Sequence, residues 1–248
     1  ALAAGNTVVA KPSEITPMTA YLFSKICQKA GLPKGVLNIV HGYGDKVGDA
    51  LCRHPDVPII SFTGGTSTGE KIASASAPMF KKMSLELGGK NPNIIFEDAD
   101  LDNAVNMATK AAFSNQGQIC LCGSRLFVQE SIYNDFRSAI IKETKTLQVG
   151  DPQDEKSNLG AVVSKEHMDK ILGCIEQAKE EGGKILTGGN RLLLNGTLKD
   201  GYYIEPTIID GLSVDCKTNH EEIFGPVVSI IPFKTEEEVI EMANSTKY

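Results

Sequence analysis

The sequence predicts an α/β protein built on parallel sheets. Two observations carry this. Short apolar runs alternate with amphipathic ones along the chain, and strand–helix junctions are marked by glycine turns such as "FTGGTSTG", Phe62 to Gly69. A strand–helix–strand repeat lays successive strands side by side in one direction, because the crossover helix carries the chain back to the starting edge. At 248 residues the chain is long enough for one large domain or two smaller ones.

The elements follow in order. "NTVVAK" reads as a buried strand. "TPMTAYLFSKICQKAG" reads as a helix, with Thr16 as N-cap, Pro17 in the first turn, Leu22, Phe23, Ile26 and Ala30 on one face, and Gly31 as the stop. "GVLNIVHG" is the next strand, "DKVGDALCRH" a short helix, and "VPIISFTGG" a third strand that runs into a helix from about Thr66 to Ala75. "KKMSLELGG" is a fourth strand, and one parallel sheet is expected from this rhythm. Beyond Gly89 come strand, acidic turn and helix in "NIIFEDADLDNAVNMATKAAFS", then strand and helix in "SRLFVQESIYNDFRSAIIKETKTL". "GYYIEPTIID" and "GPVVSIIPF" are further strands; "VGDPQDEKSNLG" is a loop and "GGNRLLLNGTLKDG" a turn-rich excursion. The Gly88–Gly89 pair is the expected domain boundary, giving 1–88 and 89–248.

Composition narrows the function classes. The chain is 41% hydrophobic and 23% charged, with a formal net charge of −6 and no basic block, which argues against nucleic-acid binding. The longest apolar runs, such as "VVSIIPF", are strand-length, so no membrane span is expected. Cys27, Cys52, Cys120, Cys122, Cys174 and Cys216 are scattered, which suits reduced thiols in a cytoplasmic protein better than a disulfide scaffold. His41, His54, His167 and His220 show no ligand spacing beside them, so no metal site is expected. The chain opens at Ala1 without a basic leader and stops just after the helical "EEEVIEMANSTKY"; the expectation is an internal fragment of a longer protein.

Four stretches carry chemistry. "ISFTGGTSTG" places Gly64, Gly65 and Gly69 where a strand gives way to a helix, and backbone N–H groups there can hold a phosphate; a plain packing turn is the alternative. "AKPSE" puts Lys11 and Glu14 at a strand's C-terminal end, where ligands sit in open α/β sheets; a solvated charge pair is the alternative. In "SLELGGKN", Glu86 stands among apolar residues beside two glycines, so partial desolvation would raise its pKa and suit it to general-base work; an edge carboxylate facing water is the alternative. In "NQGQICLCGSR", Cys120 lies on a loop between a helix and a strand. A thiol there can be a nucleophile, a disulfide or metal partner, or a small buried hydrophobe.

"LELGGKN" followed by "NQGQIC", together with "AAGNTVVAKPSE", "FTGGTSTG", "GYYIEPTI" and "EEIFGPVV" in that order, resembles the aldehyde dehydrogenase superfamily across essentially the whole chain. Within it, "ICLCGSRLFVQESIY", "MSLELGGKNP" and "IIFEDADLD" are similar to the group that contains the 2-aminomuconic semialdehyde dehydrogenases. The resemblance implies a Rossmann-type cofactor domain in 1–88 and an α/β catalytic domain in 89–248, both incomplete. It implies Cys120 as nucleophile, Cys122 as a neighbour without a required role, and Glu86 as general base. NAD is the implied cofactor, with Lys11, Ser13 and Glu14 toward the adenosine ribose and Gly44 and Gly48 toward the adenine. Phe62, Thr63, Gly64, Gly65 and Gly69 would surround the pyrophosphate and nicotinamide, Leu87 would sit near the nicotinamide, and Glu222 and Phe224 would bind its ribose. Gly65 departs from the family, where serine is common. The asparagine that completes the family's oxyanion hole would precede Ala1. The implied partners are a small aldehyde and further copies of the parent protein, as dimer or tetramer. A non-catalytic member or an inactive fragment is the alternative. An acyl-transfer enzyme or redox sensor would share the thiol, but Glu86 argues for hydrolysis.

Overall fold

The computed structural model covers residues 1–248 and divides them into two units, Ala1–Leu87 and Gly88–Tyr248. In the first, β1 (Val8–Ala10), α1 (Met18–Lys29) and β2 (Leu37–Ile39) form a crossover whose strands pair in parallel, Val8 opposite Leu37. Gly31, with φ at +77°, ends α1 in the left-handed region that glycine reaches without a Cβ clash. Thr16 does not cap α1. The cap is Pro17, because its carbonyl accepts the first helical bond, from Tyr21 N at 3.0 Å.

A single π-helical turn, Gly44–Gly48, leads into α2 (Asp49–Arg53), and β3 (Ile59–Thr63), α3 (Thr66–Ser76) and β4 (Lys82–Glu86) form a second parallel crossover, with Thr63 opposite Glu86. The single sheet expected from the rhythm is therefore two two-stranded sheets with no ladder between them. Strand pairs this short offer too little apolar surface to cover a helix. Leu22, Phe23 and Ile26, expected on a buried face, stay exposed.

The second unit contains β5 (Pro92–Ile95), α4 (Leu101–Phe113), β6 (Arg125–Gln129), α5 (Tyr133–Thr144), α6 (Lys165–Glu180), β7 (Lys184–Thr187), β8 (Arg191–Leu192), β9 (Tyr203–Ile204), β10 (Thr207–Asp210), α7 (Lys217–His220), β11 (Val227–Phe233) and α8 (Glu236–Ala243). One five-stranded sheet runs β5-β6-β11-β10-β7, parallel throughout except for β7, which is antiparallel to β10; β8 and β9 form a separate ribbon. Side chains alternate across it. Leu126, Val128, Ile208 and Val228 pack with Phe113 and Phe136 of α4 and α5, whereas Ile209 and Val227 pack with Ile171 and Ile175 of α6. Phe127, Ile231 and Phe233 meet Val239 of α8. Asp100, Ser164 and Thr235 cap α4, α6 and α8, each accepting the N–H of the third residue beyond it. α6, β7, β8 and α7 are additions to the elements expected from sequence.

Arg125 is buried at the start of β6. Its guanidinium donates to Lys90 O at 3.0 Å, Met242 O at 3.0 Å and Ala243 O at 2.8 Å, closing the carbonyl end of α8 with a positive charge. No helix is long and apolar enough to cross a membrane.

Candidate active site

The loop that carries Cys120 and Cys122 begins where α4 ends. Asn115, Gln116 and Gly117 all adopt positive φ, at 50°, 56° and 68°. Two non-glycine residues in succession there are costly, at ~1–2 kcal/mol each. Asn115 offsets part of this by donating from its side chain to Gln118 O at 3.1 Å. Gly117 has no substitute, since a Cβ on it would overlap the Gly225 carbonyl. The chain then makes a tight turn, closed by Cys122 N donating to Ile119 O at 3.1 Å, and Gly123 N returns to Ala111 O at 3.1 Å.

Cys120 and Cys122 are thereby separated in environment as well as in sequence. Cys120 is half-buried, Leu121 is exposed, and Cys122 points inward. Burial pushes the Cys122 thiol up, which makes it a packing residue rather than a nucleophile. All six cysteines are free thiols, so the pair is not a disulfide, and no group of three or more His, Cys, Asp or Glu is arranged to hold a metal.

Glu222 and Phe224 lie beside this loop. The Gly89 N–H donates to Glu222 Oε1 at 3.3 Å, and a Cβ on Gly88 would overlap the same carboxylate, so the glycine pair makes room for Glu222. Phe224 is held at φ 60°. Two residues on one face of α6 clamp the strained segment: Lys170 Nζ donates to Glu222 O at 3.2 Å and Ile223 O at 3.3 Å, and His167 Nε2 lies 2.6 Å from Phe224 O. Burial lowers the His167 pKa against the opposing pull of that carbonyl. A neutral ring facing an acceptor carries its proton on Nε2. Neither His167 nor Lys170 was singled out from sequence as a site residue, because the helix they share was not read.

In the first unit, Lys11 follows β1, and its ammonium bonds Pro12 O at 2.6 Å and Gly42 O at 3.2 Å, with Glu14 Oε2 at 3.4 Å. Lys11 thus staples the two loops at the ends of β1 and β2, while Ser13 and Glu14 remain exposed. The N–H of its own peptide holds the Glu14 carboxyl below its usual value, and Lys11 adds to this. Gly44 and Gly48 bracket the π-helical turn; a Cβ on Gly48 would touch Lys11 Cε at 3.8 Å. These loops border a groove of about 590 Å³ lined by Pro12, Ser13, Glu14, Tyr21, His41 and Tyr43, among others.

Phe62 and Thr63 end β3. The Phe62 ring folds over Gly64, where a Cβ would lie 2.5 Å from Phe62 Cζ. Gly64 N donates to Glu86 O at 3.0 Å, joining the glycine turn to the end of β4. Gly65 caps α3 with open space around it, and Gly69 is buried against Leu87. The Thr66 hydroxyl in the first turn of α3 is buried without a hydrogen-bond partner. A helix start with an open glycine turn and an orphaned hydroxyl is the donor set that a phosphate takes. Glu86 corrects the sequence reading: it is exposed at the end of β4, where Leu85 alone of the strand's residues is even partly buried, so its apolar neighbours in sequence build no covered surface around it.

The fold is thus that of a two-unit α/β protein with a thiol mounted on a strained turn. The family model for the aldehyde dehydrogenase family matches residues 1–248. The chain is 50% identical over 250 residues to 2-aminomuconic semialdehyde dehydrogenase of Mus musculus, covering 100% of this chain and 51% of that protein. It is 48% identical over 249 residues to 4-trimethylaminobutyraldehyde dehydrogenase A of Danio rerio, covering 100% and 49%. Betaine aldehyde dehydrogenase from Staphylococcus aureus, solved in complex with NAD+, superposes with a TM-score of 0.96 at 42% identity, covering 100% of this chain and 49% of that one. The chain belongs to the aldehyde dehydrogenase family. It spans about half the length of the curated relatives it matches.

Proposed function

We propose that the protein containing this chain oxidises an aldehyde to a carboxylic acid with NAD, using Cys120 as nucleophile. The observation that carries this is the thiol itself: it is the half-buried member of the Cys120–Cys122 pair, held on a turn that is strained and pinned on both sides. Strain retained in a packed structure marks a site where geometry is worth its cost.

The Cys120 thiolate adds to the aldehyde carbon, the new C–S bond forming as the carbonyl pair moves onto oxygen. Backbone N–H groups around the turn stabilise that oxyanion. When bound, the nicotinamide supplies the acceptor for the hydride that leaves this carbon, and a thioester on Cys120 remains. Glu86 takes a proton from the water that hydrolyses the thioester, releasing the acid and the free thiol. The α3 start and its glycine turn hold the pyrophosphate; Lys11, Ser13 and Glu14 face the adenosine ribose, and Gly44 and Gly48 the adenine. An ionised Glu14 disfavours a 2′-phosphate, which supports NAD over NADP. Glu222 and Phe224 receive the nicotinamide ribose, with Phe62, Thr63 and Leu87 near the ring.

The proposed substrate is a semialdehyde of the 2-aminomuconic type, supported by the sequence cues around Cys120 and by the name carried by relatives at 50% identity. The test uses the full-length protein with NAD and a panel containing 2-aminomuconic semialdehyde, 4-trimethylaminobutyraldehyde and betaine aldehyde. Absorbance of the reduced nicotinamide should rise fastest with the first and should vanish in Cys120→Ala while NAD binding persists. Turnover surviving Cys120→Ala would remove the nucleophile assignment, and preference for a quaternary-ammonium aldehyde would remove the substrate assignment.

A further inference from the structure

The two motifs around the thiol, "LELGGKN" and "NQGQIC", are joined by one side chain, that of Asn91. Asn91 Nδ2 donates to Cys120 O at 2.6 Å and to Cys122 O at 3.0 Å. One amide therefore grips the backbone on both sides of Leu121, which is exposed and held by no core packing of its own. Asn91 is itself fixed at the start of β5: its carbonyl accepts from Arg125 N at 3.2 Å, and Arg125 is buried. Its neighbour is constrained to match. A Cβ on Gly89 would lie 2.9 Å from Asn91 Oδ1 and 3.1 Å from Cys120 O.

We propose that Asn91 is the positioning residue of the nucleophile. The deduction rests on Cys120 being that nucleophile. Because the peptide is planar and trans, fixing the Cys120 carbonyl fixes the plane that follows Cys120 and the place of its Cα in that plane, so that on this side only rotation about the Cα–C bond is left to redirect the Cys120 side chain. The carbonyls of Cys120 and Cys122 both point at Asn91, so only a donor satisfies the site. A carboxylate of the same shape would set an acceptor against two acceptors. The side chain acts on the chemical step through Cys120, and its hydrogen bonds go to Cys120 and Cys122 rather than to the segment 222–224.

The experiment uses the full-length protein and three variants, Asn91→Ala, Asn91→Asp and Asn91→Ser. Steady-state kinetics give kcat and the KM for NAD, and iodoacetamide labelling with peptide mapping gives the alkylation rate at Cys120. A displaced nucleophile costs up to about 100-fold in rate. The expected result is a kcat loss of that order in Asn91→Ala with the KM for NAD unchanged, and at least as large a loss in the isosteric Asn91→Asp. Cys120 labelling should change in both, and Asn91→Ser, which keeps a donor, should recover part of the rate. Equal activity in Asn91 and Asn91→Asp proteins would overturn the proposal, as would a loss expressed only in the KM for NAD. Cys120→Ala, run alongside, separates the two levels: if it stays active, the nucleophile assignment fails; if it is dead while all Asn91 variants are normal, only the positioning role fails.

Discussion

Gly117→Ala tests how much of the chemistry depends on the turn before Cys120. Gly117 sits at φ 68°, buried, with the Gly225 backbone where a Cβ would be and Pro226 N at 2.9 Å from it. An alanine held at this φ costs ~1–2 kcal/mol in backbone strain alone. The overlap adds to this, because its neighbours are main-chain atoms that cannot rotate away. The turn and the 225–226 segment must part by on the order of 1 Å, and a displacement of that size at a catalytic group costs about 10²-fold in rate. Since Gly225 follows Phe224, the segment proposed to receive the nicotinamide ribose moves as well, so both kcat and the KM for NAD should worsen. The assay is aldehyde oxidation by the full-length enzyme at varied NAD, with thermal unfolding of the same samples. A Gly117→Ala protein with kcat within about threefold of the parent, a difference under 1 kcal/mol in barrier, would refute the reasoning.

Two further outcomes follow from the second unit. Burial pushes the Glu181 carboxyl up, but hydrogen bonds from the Thr218 hydroxyl and N–H and from Gln177 outweigh it and hold the pKa at about 2, below the usual 4.5. A folded value below the unfolded one means that this stabilisation is complete above pH 4.5 and is lost as the pH falls from there through about 2. Glu181→Ala should therefore be less stable at neutral pH and show a shallower acid dependence in that window by denaturant titration; an unchanged slope would contradict the assignment. Gly173 lies on the exposed face of α6 with nothing within 4 Å of an added Cβ. Gly173→Ala should raise stability by ~0.5–1 kcal/mol in urea, and a loss would show that the helix needs the glycine for a contact outside this chain.

Local pattern made much of this structure legible. The alternation of runs located every strand that pairs in parallel but missed the antiparallel edge strand β7, and Gly31 ended α1 as expected, because these signals depend on neighbours within a turn. α6 was legible in principle: Ser164 as cap and Met168, Ile171, Ile175 and Ala178 on one buried stripe are a helical signature that the reading passed over. Register and burial were not legible. Whether β2 pairs with β3, and whether Leu22, Phe23 and Ile26 find a cover, depends on tertiary surroundings rather than on period. Glu86 shows the same limit, since its apolar neighbours Met83 and Leu85 do not themselves build a covered surface around it. At the thiol site, sequence pointed to Cys120 but not to Asn91, His167 or Lys170. Their grip on the loops spans from 29 to 57 residues, and nothing local marks such a contact.

The central claim is that the Cys120 sulfur carries the substrate. Full-length protein mixed with NAD and its aldehyde, quenched in acid within a turnover and digested, should yield the peptide containing Asn115 to Arg125 with the acyl mass on Cys120. Cys122 should be unmodified, and no adduct should form without NAD beyond the reversible addition. Acylation of another residue, or turnover with no acyl peptide at any quench time, would contradict the account.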